Sequence, residues 1–283
     1  MKKPGKSGPF LSLSLSVTLC THPLLVWIVP SPRGKSNKMS SELLPLVDRV
    51  ALITGASRGI GRAIALRLAR AGTTIVLAAR TEQDLSVVAD TIRASGGKAL
   101  AATTDVTDDQ QLATLVSTTL ARFGHIDILV NNAGGGPPRT LVAKARATDW
   151  EWTLRTNLWA TMILTKLVLP SMIERHSGAI INICSVAGLS GKAGEAAYAA
   201  AKFGVRGFSQ SLFEEVREYG IKVSTICPGS VDTALIPPNR RVDRSKMLRP
   251  EDVAEAVYAV AVSPARSCPL EIILQPQHDP LKT

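Results

Sequence analysis

The sequence predicts a doubly wound α/β domain over residues 42–283, with a parallel sheet covered by helices on both faces. Three observations carry that expectation. Short apolar runs alternate with longer amphipathic stretches some six times, the rhythm of strand–helix–strand units. The first apolar run ends in a glycine cluster that leads straight into a helical pattern, the arrangement of a dinucleotide-type turn. No internal repeat, and no linker rich in Gly, Pro or Ser, divides the region.

Taken in order, RVALITG (49–55) reads as a strand stopped by glycine, and IGRAIALRLARA (60–71) places apolar side chains at helical spacing before Gly72. TTIVLAA (73–79) is β-branched and strand-like, followed by a helix through about Ala94 and the turn SGG. KALAATTD and IDILVNNAG are two further strands, separated by a helix near 108–122. A long helix near 148–175 precedes the strand GAIINICS (178–185). A helix over about 195–219, the strand KVSTICPG (222–229), the helix PEDVAEAVYAVAV (250–262) and the strand LEIILQP (270–276) complete the chain. Pro250 suits a first helical turn, where its missing N–H costs nothing.

Composition is that of an ordinary globular chain, 45% hydrophobic and 20% charged, with a formal net charge of +10. The charge is unevenly placed. Residues 1–41 hold six basic residues and no acid, and the remainder carries 27 basic against 23 acidic residues. An excess of that size calls for no nucleic-acid partner. Residues 10–30, FLSLSLSVTLCTHPLLVWIVP, are uncharged and mostly apolar after a basic start, which fits a targeting segment or a membrane attachment. Pro23, Pro30 and His22 interrupt the run, and MSSELLPLVDRVALITG would equally begin a chain at Met39. Residues 1–41 are therefore a leader or an over-extended start. A cytoplasmic location follows from the second case, and organelle targeting or membrane anchoring from the first. The four cysteines and four histidines are scattered, with no CxxC or Cys/His cluster, so no metal site is expected.

The glycine turn TGASRGIGR brings Gly55, Ser57, Arg58, Gly59, Ile60 and Gly61 to the strand–helix junction. There glycine lets backbone approach a pyrophosphate at the positive helix end, as in a Rossmann-type fold. The second strand ends in Arg80, nineteen residues after Gly61, where an acid would select the ribose hydroxyl of NAD. Arginine there, with Arg58 in the turn, suits the 2′-phosphate of NADP(H).

AAYAAAKFGV (196–205) sets Tyr198 one helical turn before Lys202. A phenol titrates near pH ~10, and a neighbouring cation favours its ionised form, so the pair could serve proton transfer. Exposure on a helix would equally explain it.

TGASRGIG (54–61), NNAG (131–134), Ser185 thirteen residues before Tyr198, YAAAK (198–202) and PG (228–229) together resemble the short-chain dehydrogenase/reductase family over residues 46–276. The resemblance implies an NADP(H)-dependent oxidoreductase that moves a hydride between cofactor and a ketone or secondary alcohol. Tyr198 would be the general acid/base, Lys202 its activator and ribose contact, and Ser185 the donor to the substrate oxygen. Asn157 would support a water-borne proton relay to the lysine. Asp105 and Val106 would lie at the adenine, and Asn131, Ala133 and Gly134 would line the cleft, with Asn131 also steadying the sheet. Pro228, Gly229, Val231 and Thr233 would meet the nicotinamide side. Asn157 as a helix-interior polar group, Ser185 as a strand-end hydroxyl and Asp105 as a helix cap are the structural readings of the same residues. The partner is a small carbonyl or alcohol substrate, and the assembly a homodimer or homotetramer.

One feature departs from the pattern. The chain ends in SPARSCPLEIILQPQHDP rather than in the glycine-rich strand of many ketoacyl reductases. It is more similar there to reductases of 3-hydroxy acids, diketones and assorted carbonyls. A 3-oxoacyl carrier-protein reductase is a second reading, and a non-catalytic nucleotide-binding sensor or scaffold a third. Substrate choice is expected from residues 135–150, 186–195 and 230–249. Two of these segments are basic, with Arg139, Lys144 and Arg146 in one and Arg240, Arg241, Arg244, Lys246 and Arg249 in the other. They would be either anion guides or solvated surface.

Overall fold

The structure, a computed structural model, describes residues 45–136, 139–236 and 242–281. The expected leader over 1–41 and the cations Arg240 and Arg241 lie outside them. Seven strands run β1 (Val50–Thr54), β2 (Thr74–Ala79), β3 (Ala99–Thr103), β4 (Ile128–Asn131), β5 (Gly178–Ile183), β6 (Ile221–Pro228) and β7 (Glu271–Leu274). The helices are α1 (Gly59–Arg70), α2 (Glu82–Ala94), α3 (Asp109–Phe123), α4 (Ala147–Leu154), α5 (Ala160–Glu174), α6 (Ala196–Val216) and α7 (Pro250–Val262).

The strands form one sheet in the order β3-β2-β1-β4-β5-β6-β7, every neighbouring pair parallel. The chain winds outward from β1 to β3, then returns to place β4 against the other side of β1. The crevice between the ends of β1 and β4 is thus the switch point at which such sheets bind ligands.

Successive strand residues point to opposite faces, and both faces are covered, which is why the strands read as continuous apolar runs. Ala51 and Ile53 of β1 join the core beneath α1, α2 and α7, with Ile64, Leu68, Leu85, Val88, Val253 and Val257. Val50 and Leu52 join the opposite core beneath α3, α5 and α6, with Leu112, Leu164, Val168 and Leu212. Among the described residues no helix is long and apolar enough to cross a membrane.

Strand and helix expectations hold to within about two residues at most ends. The long helical region expected over 148–175 is present, and within it a π-helical turn, Arg155–Trp159, joins α4 to α5. Periodicity alone does not reveal an inserted residue of this kind. The turn is pinned to the start of α3. Arg155 donates to the Thr107 carbonyl (2.7 Å) and to Asp109 (3.2 Å), and the Trp159 indole also donates to Asp109 (3.1 Å). The helix expected to reach 219 ends at Val216 and tightens into a 3₁₀ turn that Gly220 closes in the left-handed region (φ 68°).

Away from the crevice one buried carboxylate joins distant parts of the chain. Asp127, just before β4, accepts from the Val50 amide (2.8 Å), Arg49 Nη1 (3.0 Å) and Arg175 Nη2 (2.6 Å). It also lies 3.1 Å from His125 Nε2. Asp127→Ala should lower the unfolding free energy by about 2–3 kcal/mol, because a buried donor and part-exposed guanidinia lose their acceptor. Urea unfolding followed by far-UV circular dichroism checks this, and an unchanged midpoint would contradict it.

Candidate active site

The floor of the crevice is the turn between β1 and α1. Gly55 and Gly59 hold φ of +63° and +53°. A Cβ on Gly61 would lie 2.2 Å from the Gly55 carbonyl oxygen, so only glycine allows α1 to start this close to the turn. Arg58 precedes the helix in extended conformation and is exposed; Ser57 and Ile60 are half-buried beside it. Arg80 is exposed immediately beyond β2, and neither arginine is ion-paired among the described residues.

The turn is fastened to the segment after β4. Asn132 Nδ2 donates to the Thr54 and Gly55 carbonyls (2.8 and 3.2 Å), and Thr54 Oγ1 accepts from the amides of Asn132 and Ala133, both at 3.0 Å. Sequence reasoning missed Asn132 and Thr54; the only signal was their place beside the assigned residues in ITG and NNAG. Asn131, expected both to line the cleft and to steady the sheet, has its side chain buried in the sheet, where it does the second. Its amide donates to Asn182 Oδ1 (2.8 Å) and Thr165 Oγ1 (3.1 Å), and Asn182 donates onward to Ser209 (2.8 Å). That network joins β4, β5, α5 and α6 beneath the site. It was legible only as unexplained polar residues in apolar runs.

Around the rim, Val106 is buried. Asp105 accepts from both the amide and the hydroxyl of Thr107 (2.9 and 2.8 Å), so one carboxylate oxygen closes its own turn. The cap of α3 is instead Asp108, which accepts from the amides of Gln110 and Gln111. The Gly229 amide donates to the Leu274 carbonyl (2.7 Å) and follows the buried Pro228. Val231 bridges to Leu248. A Cβ on Gly59 would lie 3.3 Å from Thr233 Cγ2, which puts Thr233 directly over the glycine turn.

The polar centre lies between α6, the end of β5 and the π turn. Lys202 is 4% exposed and its ammonium donates to the Ile183 carbonyl (3.0 Å). That oxygen lies two residues before Ser185. Its Nζ stands 5.6 Å from the centre of the half-buried Tyr198 ring. Ser185 Oγ accepts from the Ala187 amide (3.1 Å) and retains its own proton to donate. The Cys184 thiol donates to the Lys202 carbonyl (3.2 Å). Its neighbour Cys227 is held protonated by the hydrogen bond with Cys184, by burial and by the Glu271 carboxylate.

Asn157 is fully buried, and both amide protons are spent on the Gly135 carbonyl (2.6 Å) and the Thr153 carbonyl (2.8 Å). Its oxygen accepts from the Gly135 amide (3.1 Å). The side chain therefore fastens the 134–136 segment. It sits in the π turn, an irregularity frequent at functional sites.

The basic segments are largely engaged. Arg139 pairs with Glu195 (2.5 Å), and the Arg146 fork holds the Asp149 carboxyl below its ordinary range. Arg244 binds Asp232 (Nε at 2.7 Å) and the carbonyls of Thr233 and Ile236. Lys246 pairs with Asp243, whose carboxyl is held low by the Ser245 hydroxyl and by that lysine. Arg244 thus organises the segment carrying Thr233 and is no free anion guide. Among the described residues no cluster of three His, Cys, Asp or Glu side chains could hold a metal ion.

A switch-point crevice with a glycine turn, and a Tyr–Lys helix closing on a serine, define an oxidoreductase of the dinucleotide-binding class. The chain belongs to the short-chain dehydrogenase family, whose model matches residues 49–243. It is 38% identical over 227 residues to a 3-oxoacyl-[acyl-carrier-protein] reductase of Synechocystis sp., covering 78% of this chain and 92% of that one. It is also 38% identical to the ketoacyl reductase HetN of Nostoc sp., covering 75% of each chain. The crystal structure of a metagenomic short-chain oxidoreductase in complex with NADP is similar, with a TM-score of 0.74 and 34% identity over 83% of this chain and all of that one.

A Cβ on Gly134 would lie 2.7 Å from Asn157 Oδ1 and 3.4 Å from Lys202 Nζ. Gly134→Ala should therefore reduce kcat at least about tenfold by displacing Asn157 from its place beside Lys202, since misplacement of even ~1 Å is costly. The thermal midpoint should fall as well, because the methyl presses on the buried, hydrogen-bonded Asn157 although Gly134 itself is exposed. Steady-state kinetics alongside a melting curve checks this, and full activity would contradict it.

Proposed function

We propose that the protein is an NADP(H)-dependent reductase converting a ketone to a secondary alcohol, with a 3-oxoacyl or 3-hydroxy acid type of substrate. The observation that carries this reading is that Lys202 of α6 donates to the Ile183 carbonyl, two residues before Ser185, while its Nζ stands 5.6 Å from the centre of the Tyr198 ring. The crevice supports a dinucleotide. Its glycine turn admits a pyrophosphate where no Cβ could stand, the first helix turns its free amides to that point, and Arg58 and Arg80 are exposed for a phosphate. The similar structure in complex with NADP supports the same choice.

When bound, NADPH supplies the hydride for the carbonyl carbon. The chain's own residues handle the oxygen. Negative charge builds there as the carbon is reduced, and the Ser185 hydroxyl and the Tyr198 phenol are the donors that meet it. Tyr198 gives up its proton to complete the alcohol. Lys202 keeps two ammonium protons beyond the one held by Ile183, available to the phenolate and to a ribose hydroxyl. Asn157 holds the Gly135 backbone beside this centre. Retention of Tyr198, Lys202 and Ser185 argues against a non-catalytic sensor.

The names of the two ketoacyl reductase relatives favour a second reading, a 3-oxoacyl carrier-protein reductase. A panel of β-keto ester, α-diketone, acetoacetyl-CoA and acetoacetyl carrier protein separates the two. A preference of more than about tenfold in kcat/KM for the carrier-bound substrate would favour the second.

Tyr198→Phe removes the transferable proton but keeps the ring, and should lower kcat by at least ~100-fold while NADPH still binds. Near-normal turnover of a panel ketone would sink the mechanism. NADPH should be preferred over NADH in kcat/KM, and Arg80→Asp should shift that ratio towards NADH by more than about tenfold, given that a charge-assisted contact is worth about 1.5–3 kcal/mol. A wild-type preference for NADH would refute the assignment.

A further inference from the structure

Ser185 sits on a segment that α6 grips on both sides. Two residues before it, the Ile183 carbonyl is held by Lys202. Three residues after it, the Gly188 carbonyl is held by Arg206 Nη1 (2.9 Å), one helical turn beyond Lys202. Gly188 is also pressed against the helix, since a Cβ there would stand 2.9 Å from the Lys202 carbonyl oxygen and 2.8 Å from Cys184 Sγ. The Arg206 guanidinium is itself oriented by Glu271 of β7, with Nε at 2.5 Å from one carboxylate oxygen and Nη2 at 3.0 Å from the other. This is a planar fork meeting a carboxylate, with its remaining nitrogen turned to a backbone carbonyl, an arrangement that a lysine could not reproduce. The pair is mostly shielded, with side-chain exposures of 22% and 29%.

We propose that Arg206 and Glu271 are positioning residues for Ser185: they lock the turn Val186–Gly188 to the helix that carries Tyr198 and Lys202. Neither need touch substrate. The inference rests on the reading that Ser185 and Tyr198 act on one carbonyl oxygen, and it gives the last strand, which lies outside the dinucleotide crevice, a part in setting that geometry.

A double-mutant cycle with the panel ketone of highest turnover tests it. Arg206→Ala should lower kcat about tenfold while Ser185 is present, as a misplaced hydroxyl would, and less than about twofold in a Ser185→Ala background. The dissociation constant of NADPH, read by its fluorescence, should not move. Glu271→Gln should give a smaller loss with the same dependence on Ser185. An equal loss in both backgrounds, or none in either, overturns the proposal. Arg206→Lys keeps the charge and stem but not the fork, and carries the same cycle should the alanine variant fold poorly. Deuterium uptake needs no substrate. It should quicken in residues 184–190 of either Arg206 variant and stay unchanged in residues 50–80, and unaltered uptake in 184–190 would also overturn the proposal. Should Tyr198→Phe prove inactive while Arg206→Ala works normally, this inference fails alone. Should Tyr198→Phe remain active, the underlying reading fails.

Discussion

The site depends on a buried ammonium. Lys202 has 4% of its surface exposed, and its charge is tolerated there because the Ile183 carbonyl accepts one proton while the crevice supplies surroundings for the others. That bond crosses from helix to strand, and so fixes the height of α6 against the end of β5. It requires close approach, which the small residues of AAYAAAKFGV provide. Ala199 and Ala201 are buried, and Gly204 sits where a Cβ would lie 2.8 Å from Leu158 Cδ2 in the π turn. Bulk at Gly204 would press on Leu158 and shift the helix that carries the lysine.

A second constraint holds the crevice from the other side. Thr54, Asn132 and the Gly55 carbonyl join the ends of β1 and β4 at the switch point, and Asn131 with Asn182 and Ser209 braces the layer beneath. Because Asn157 grips Gly135 and stands across Gly134 from Lys202, the NNAG segment couples the glycine turn to the proton-transfer centre. A dinucleotide in the crevice and the proton transfer proposed for Tyr198 would therefore share one rigid frame. The polar network that builds it costs little where each donor meets an acceptor.

The sheet was legible because both its faces are covered. Continuous apolar strands and 3.6-residue helices leave clear periods, and β1, α1, β2 and α7 lie where the pattern places them. The Tyr198–Lys202 spacing was legible for the same reason, being one helical turn. The π turn was not, because α5 (ATMILTKLVLPSMIE) is apolar on most sides and shows no clear stripe whose phase an extra residue could shift. Nor was the sharing of roles between Asn131 and Asn132, since adjacent strand-end residues point to opposite sides and the letters alone do not say which faces the crevice. Arg244 looked like a free cation in a basic run and is bound to Asp232. A charge count along the sequence is blind to partners on other segments.

The proposed proton transfer needs Lys202 to make Tyr198 competent, and turnover of Lys202→Met at saturating NADPH is its sharpest test. Methionine preserves much of the length and apolar stem while removing the charge and the bond to Ile183. Expected are a loss of kcat of at least ~100-fold, weaker NADPH binding and a circular dichroism spectrum like that of the wild type. A folded Lys202→Met protein that reduces a panel ketone at a rate within a few-fold of wild type would contradict it.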